Sequence, residues 1–336
     1  MLITDLLAIL MAGKSLTREQ AKFLFAKVVA GETTDAELAC AVTALKMRGE
    51  SIDEIAGAAD ALRDAAVHFP RPEGDLLDIV GTGGDGANTI NISTTATFVA
   101  AAAGAKVAKH GSRSVSSQSG ASDLLSQFGV NLTMTPEQSA QCLEQLGVTF
   151  LFAPHYHAGM RHAAPIRQQL KSRTLFNILG PLINPARPSQ MLLGVYTPEL
   201  LEPIASVLAS LGVKRALVVH GSGLDELAVH GDSDAIELRD GQLHKRHFTP
   251  EQLGVQRYPL EALKGGRPQE NMAISKALLS GHGSDAQQAA VAVNAGAALY
   301  LADQADSIKA GTELALKTLA SGKALTLIEQ FAEASQ

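Results

Sequence analysis

The stretch LLDIVGTGGDGANTINISTTATFVAAAAGAKVAKHGSRSVSSQSGASDLLSQFG, residues 76–129, decides how this chain is read. It opens on the apolar run Leu76-Leu77-Asp78-Ile79-Val80, short enough for a buried strand. A glycine-rich turn follows, Gly81-Thr82-Gly83-Gly84-Asp85-Gly86, and then Asn91-Ile92-Ser93-Thr94 ahead of an alanine-rich helix at 96–103. A second strand, Lys106-Val107-Ala108, runs into Lys109-His110-Gly111-Ser112-Arg113, a hydroxyl-rich loop at 114–119 and a further helix from about Ser122. Between Asp85 and Asp123 there is no acidic residue, while Lys106, Lys109 and Arg113 all fall there. Glycine amides, helix N-termini, hydroxyls and cations without a competing carboxylate suit a polyanion, so the stretch reads as the seat of a phosphorylated substrate.

Working outward, residues 1–67 read as all helix. Thr17 with Gln20, Thr34 with Glu37 and Ser51 with Glu54 form three successive capping boxes, and Gly31 and Gly49 fit as helix stops. Pro70-Arg71-Pro72-Glu73-Gly74 is the first clear linker. Beyond it strands alternate with helices, the pattern of a parallel α/β sheet. Thr135 caps a helix opening at Pro136, and 148–152 is a buried strand. Residues 161–173 read as one helix, 191–196 as a strand, 198–211 as a helix and 216–219 as a strand. Residues 232–243 read as a hairpin turning at Asp240-Gly241, and the chain from Glu270 onward as mostly helix. The fold class is therefore α/β: a small all-helical N-terminal domain plus a larger α/β domain with a mainly parallel sheet.

Composition narrows the function. Aromatic residues are only 4% and Trp is absent, which weakens any scheme built on base stacking. The net charge of -6 argues against a nucleic-acid partner and leaves the basic residues near 109 as a local feature. Cys40 and Cys142 show no metal-type spacing and read as reduced thiols of a cytosolic protein. The start of the chain has no basic n-region or cleavage site, and its apolar runs are too short to span a bilayer, so no membrane partner is expected.

Single motifs have bland readings. Gly81, Gly83 and Gly86 match the dinucleotide fingerprint in form, but the acidic residue expected about 20 positions on is replaced by Lys106 and Lys109. The lysine-histidine loop at 109–113 can be a solvated basic loop; its place at a strand end, before a serine run, favours phosphate. His110 is a candidate base, although a lone histidine is more often structural. Asp225-Glu226, on a loop after a strand, are either solvated or oxygen ligands for Mg²⁺. His155, His157 and His162 resemble a transition-metal cluster, but no thiolate or carboxylate completes it and zinc is disfavoured.

Taken in order, Gly81-Thr82-Gly83-Gly84-Asp85, Asn91-Ile92-Ser93-Thr94, Lys109-His110-Gly111, Arg113-Ser114-Val115-Ser116-Ser117, Arg173-Thr174, Phe176-Asn177, Leu179-Gly180-Pro181-Leu182, Asn184-Pro185 and Gly223-Leu224-Asp225-Glu226 resemble the anthranilate phosphoribosyltransferase family. The resemblance covers nearly the whole chain, including Glu270-Asn271. It implies a nucleoside phosphorylase/phosphoribosyltransferase-like architecture: a helical domain at 1–70, completed by helices from about 165–186, and an α/β domain at 74–164 and 187–336. It implies transfer of a phosphoribosyl group from phosphoribosyl pyrophosphate to anthranilate in tryptophan biosynthesis, in a cytoplasmic homodimer joined through the helical domains. Gly81, Gly84, Asp85, Thr89, Asn91, Ile92, Ser93, Thr94, Lys109, Ser117 and Ala121 would hold phosphoribosyl pyrophosphate. Gly81, His110, Ser112 and Arg167 would meet anthranilate, and Ser93, Asp225 and Glu226 would serve Mg²⁺. No catalytic acid or base is implied.

Two positions depart from that pattern. Ser112 stands where the family usually has asparagine, and Gln118 where lysine is frequent. The competing functions are a pyrimidine nucleoside phosphorylase, whose family normally carries an additional C-terminal domain, and a non-catalytic nucleic-acid-binding relative, which the intact glycine turn and the net charge oppose.

Overall fold

The computed structural model describes residues 1–113 and 118–336. Four helices come first: α1 (Ile3–Met11), α2 (Arg18–Ala30), α3 (Asp35–Arg48) and α4 (Ile52–Asp64). All three capping boxes form, with Thr17, Thr34 and Ser51 each accepting from the backbone N–H three residues on. Gly31 closes α2 at φ 73°, a left-handed conformation that costs glycine nothing. Glu54 does more than cap. It is fully buried and also accepts from the Leu16 N–H at 2.8 Å and from the Arg48 guanidinium.

The α/β part runs β1 (Leu77–Gly81), α5 (Ile92–Ala102), β2 (Val107–Gly111), α6 (Ala121–Gln127), α7 (Pro136–Leu146) and β3 (Val148–Phe152). Short helices α8 (Ala153–Tyr156), α9 (Ala164–Leu170) and α10 (Phe176–Leu179) cross over to the helical side. The chain then returns through β4 (Gln190–Gly194), α11 (Leu201–Ser210), β5 (Arg215–Gly221), β6 (Ser233–Arg239) and β7 (Gln242–Phe248). It ends in α12 (Pro268–Leu279), α13 (Asp285–Leu301), α14 (Ile308–Ala320) and α15 (Lys323–Ala334).

The seven strands lie in the order β3-β2-β1-β4-β5-β6-β7. From β3 to β5 every pairing is parallel, while β6 and β7 add antiparallel strands at one edge. Strand alternation divides the core. Leu192, Leu217 and Val219 face α5, α13 and α15 on one side of the sheet. Met191, Leu193 and Val218 face α11 on the other, in a core continuous with the first four helices and with Ile166, Phe176 and Ile178.

Several expected boundaries move. The helix at 161–173 does not form as one element. Pro165 lacks an amide hydrogen and restarts the chain as α9, after a 3₁₀ turn at Ala158–His162; Lys171 at φ 47° ends it. Residues 198–211 likewise begin as a 3₁₀ turn before α11. The hairpin is longer than read, because β7 runs to Phe248, but its turn is as expected, with φ 52° at Asp240 and 74° at Gly241.

Candidate active site

The chain runs outward from β1 to β3 on one side of β1 and resumes with β4 on the other. The crevice at the carboxyl ends of β1 and β4 is therefore a topological switch point, where open parallel sheets bind ligands. The glycine turn leaves β1 there. Gly83 and Gly84 adopt φ 68° and 81°, which only glycine does without strain. The Thr82 N–H donates to the Gly194 carbonyl at the end of β4 (2.9 Å), and the Gly83 N–H to Asp225 Oδ2 (2.6 Å).

Asp225 and Glu226 reach the crevice from the loop after β5. Their backbone is admitted by missing side chains. A Cβ on Gly194 would lie 1.6 Å from the Asp225 carbonyl oxygen, and one on Gly221 2.3 Å from that of Glu226. A Cβ on Gly81 would lie 2.1 Å from Asp225 Oδ2. Behind the loop, Asn294 of α13 pairs with Leu227 through both backbone groups, each at 3.0 Å. Asn294 is fully buried and escapes a motif-based reading, although a lone amide in the apolar run 289–299 is a legible signal.

The N-terminus of α5 closes the site. The Ser93 N–H donates to Glu226 Oε1 (3.1 Å), so a carboxylate sits where helix amides favour an anion. The Asn91 side chain ties three segments together: it donates to the Ser119 carbonyl (3.0 Å) and accepts from Ser119 Oγ (3.2 Å) and, in α12, from Asn271 Nδ2 (2.8 Å). Ile92 and Thr94 are buried behind it. Thr89 bridges to Lys264, and Ala121 opens α6 beside Gly111. Ser117, with the rest of the serine run at 114–117, lies outside the described residues.

Lys109 does not stand in the open crevice. It is buried, and its ammonium donates to the Ile79 carbonyl. Burial lowers its pKa against the pull of Asp78, Glu226 and Asp225. Asp78, which no sequence motif singles out, is wholly buried. Burial pushes it up to about 6, opposed by Lys109 and by hydrogen bonds from Asn184 (Nδ2 to Oδ2, 2.8 Å) and the His110 N–H. Burial first, then the neighbouring Asp85, raises Asp225 to about 7; burial and Asp225 raise Glu226 to about 8. Neighbouring carboxylates that repel one another fit a hard divalent cation. Among the described residues no three His, Cys, Asp or Glu side chains converge on one point, so such an ion would take remaining oxygens from water and substrate, as Mg²⁺ does at phosphate sites.

On the helical side, His110 Nδ1 lies 3.2 Å from the Gly180 carbonyl, and the His110 ring meets His157 edge-on at 5.2 Å. Both are buried, and both Nε2 atoms lack a partner among the described residues. Burial takes His110 down to about 3 and His157 to about 4. His110 is thus too weak a base to serve as a general base near neutral pH. Because both folded values lie below the unfolded 6.5, the unfolded chain binds these protons first. The histidines' own contribution to stability should therefore fall as pH drops from about 6.5 towards 4. Between pH 7 and 4.5 the urea midpoint of His157→Gln should gain on that of the parent, since the buried carboxyls act equally on both; a difference that stays constant with pH would show that the buried pair does not contribute.

Arg167, on α9, is half-buried with its guanidinium 5.6 Å from the Phe176 ring centre. Burial lowers its pKa, and no carboxylate or carbonyl pairs with it among the described residues. Ser112 is exposed, its carbonyl accepting from the Ser122 N–H at 3.4 Å.

A switch-point crevice of glycine amides, a helix N-terminus and paired carboxylates beneath a helical bundle defines a class of glycosyl-group transferases. The chain matches the helical bundle domain of the glycosyl transferase family over residues 4–66 and its a/b domain over 73–325. It is 60% identical over 337 residues to the anthranilate phosphoribosyltransferase of Shewanella sp. (strain ANA-3), covering 99% of this chain and 97% of that protein. The crystal structure of the Thermus thermophilus enzyme of that name superposes with a TM-score of 0.94 at 45% identity, over 98% of both chains. The Saccharomyces cerevisiae enzyme in complex with PRPP and Mg has a TM-score of 0.90 at 28% identity, over 99% and 97% of the two chains. The chain belongs to the anthranilate phosphoribosyltransferase family.

Proposed function

We propose that this chain transfers the phosphoribosyl group of phosphoribosyl pyrophosphate to the amine of anthranilate, releasing pyrophosphate. The observation that carries the reading is the meeting of the glycine turn, the α5 N-terminus and Asp225-Glu226 at the switch point. It is joined by Arg167 on α9, half-buried and unpaired with any carboxylate or carbonyl among the described residues. Breaking the anomeric C–O bond builds positive charge on ribose and negative charge on pyrophosphate. The turn amides and the α5 N-terminus oppose the latter. Asp225, Glu226 and the Ser93 hydroxyl would hold Mg²⁺, which when bound neutralises the diphosphate. Lys109, buried beneath the carboxylates, balances their charge from below. The anthranilate amine is neutral at pH 7 and already nucleophilic, so holding it across the cleft suffices where no strong base stands.

The division into a helical part at 1–70 with 165–186 and an α/β part at 74–164 with 187–336 belongs to this proposal, as does closure between them. A homodimer through the helical part is supported by the exposed Leu2, Met11, Met47 and Ile52. Two unpaired cysteines agree with a cytoplasmic location. Among the described residues no helix is long and apolar enough to cross a membrane.

The test is consumption of anthranilate, followed by its fluorescence, with and without phosphoribosyl pyrophosphate and Mg²⁺. Consumption independent of phosphoribosyl pyrophosphate, or release of base from thymidine with phosphate, would overturn the reading. Within it, Arg167→Ala should raise the KM for anthranilate by about tenfold or more, with a much smaller change for phosphoribosyl pyrophosphate. Arginine pairs with a carboxylate through two hydrogen bonds, and alanine offers none. Equal weakening of both substrates would make Arg167 a support of the fold.

A further inference from the structure

Beyond the carboxylates and helix terminus, one contact on the glycine turn has no assigned purpose. Arg173 lies in the segment joining α9 to α10. Its guanidinium donates to the Gly84 carbonyl and stacks on the Tyr196 ring, 4.1 Å from the centroid. Tyr196 follows β4, and its own N–H donates to Thr82 Oγ1 at 3.2 Å. Three segments far apart in sequence therefore meet: the glycine turn, the crossover segment and the end of β4. Arg173 and Tyr196 also line a cavity of about 260 Å³ together with Lys46 and Glu50, at the end of α3 on the helical side.

The contact has a directional consequence. In a trans peptide the carbonyl and the following N–H point opposite ways, and the described chain has no cis bonds. Drawing the Gly84 carbonyl towards Arg173 therefore turns the Asp85 N–H to the other face of the turn. Among the described residues the N–H groups of Gly84, Asp85 and Gly86 find no protein acceptor, whereas that of Gly83 is held by Asp225. Three successive free amides, on a turn where Gly83, Gly84 and Gly86 are all left-handed, suit an anion. Left-handed glycines can also flip, so such a turn needs something to hold it.

We propose that Arg173, braced by Tyr196, is a positioning residue that fixes the Gly84–Asp85 peptide with its amide turned towards the diphosphate. It acts through the turn and does not itself touch the substrate. Because its other anchor is the crossover segment, it also couples the turn to the helical side of the cleft. The inference rests on the phosphoribosyl-transfer reading above.

The test measures the wild type, Arg173→Ala, Arg173→Lys and Tyr196→Leu. Steady-state kinetics vary each substrate in turn, and calorimetry measures binding of magnesium pyrophosphate without anthranilate. Loss of a charge-assisted hydrogen bond that orders an anion site should raise the KM for phosphoribosyl pyrophosphate and the pyrophosphate Kd about ten- to thirtyfold in Arg173→Ala. The anthranilate KM should stay within about twofold. Arg173→Lys, which keeps a charged donor, should recover part of the loss, and Tyr196→Leu should show a smaller rise of the same kind, about threefold. Three results would overturn the proposal: an unchanged pyrophosphate Kd in Arg173→Ala, a lowered unfolding midpoint with both KM values unaltered, or a full loss in Arg173→Ala with none in Tyr196→Leu. The last would mean that Arg173 contacts the phosphates directly. If the wild type does not turn over these substrates but Arg173→Ala still weakens pyrophosphate binding, the functional reading fails and the positioning role stands.

Discussion

Gly194→Ala is expected to lower kcat/KM by at least about 100-fold while leaving a folded, cooperatively unfolding protein. Gly194 ends β4 with no strain of its own; what it supplies is space. The added methyl would fall 1.6 Å from the Asp225 carbonyl oxygen and 2.2 Å from its carbon. Both are backbone atoms, so no rotamer change relieves the clash, and the loop carrying Asp225 and Glu226 must move. It cannot slide freely, because Asn294 grips Leu227 through two hydrogen bonds and Gly221 packs against the Glu226 carbonyl. A displacement of about 1 Å at reacting groups commonly costs about 100-fold in rate, and overpacking a buried site about 1–3 kcal/mol of stability. Steady-state rates beside a thermal unfolding curve separate the two effects. Near-normal turnover would show that the close approach of β4 to the loop is not what sets the carboxylates.

That dependence is of a kind the sequence hides. Gly194 and Asp225 are far apart in the chain, and nothing near either residue announces the other. What is legible is local. The capping boxes at Thr17, Thr34 and Ser51, the Asp240-Gly241 turn and the short apolar runs of β1, β3 and β5 all state their structure within a few residues, and the structure follows them. The continuous helix expected at 161–173 fails because its apolar pattern does not outweigh Pro165, whose missing amide hydrogen restarts the helix. The buried polar residues are the other gap. Asp78 sits inside an apolar strand, and Asn184 in a proline-flanked loop, yet Asn184 donates to both Asp78 (2.8 Å) and the Ala108 carbonyl (2.8 Å). Their pairing comes from sheet order, which brings the loop before β4 under β1 and β2. Lys109 shows the same limit: its charge is evident from the sequence, but its burial under the Ile79 carbonyl depends on packing.

The second large effect concerns Asp225→Asn combined with Glu226→Gln. Turnover should drop by roughly three orders of magnitude or more, since amides cannot hold Mg²⁺ against water as paired carboxylates do. Stability should move the other way. In the protein without metal, burial and mutual repulsion raise Asp225 to about 7 and Glu226 to about 8. The unfolded values are near 3.9 and 4.3, so the folded state binds extra protons in the window between. For carboxyls raised in this way, stability falls as pH climbs from about 4 to about 8, and above about 8 the full cost of two ionised, half-buried groups remains. The amide pair removes that cost while keeping the acceptors for the Gly83 and Ser93 N–H groups, which need only an oxygen. Guanidinium unfolding in the presence of a chelator should therefore show the double variant more stable than the parent at pH 8.5 and nearly equal to it at pH 4.5. Adding Mg²⁺ with pyrophosphate should stabilise the parent and leave the variant unmoved. A variant that is less stable at pH 8.5, or that still turns over with Mg²⁺ present, would mean that this carboxylate pair is a structural anchor and that the ion is held elsewhere.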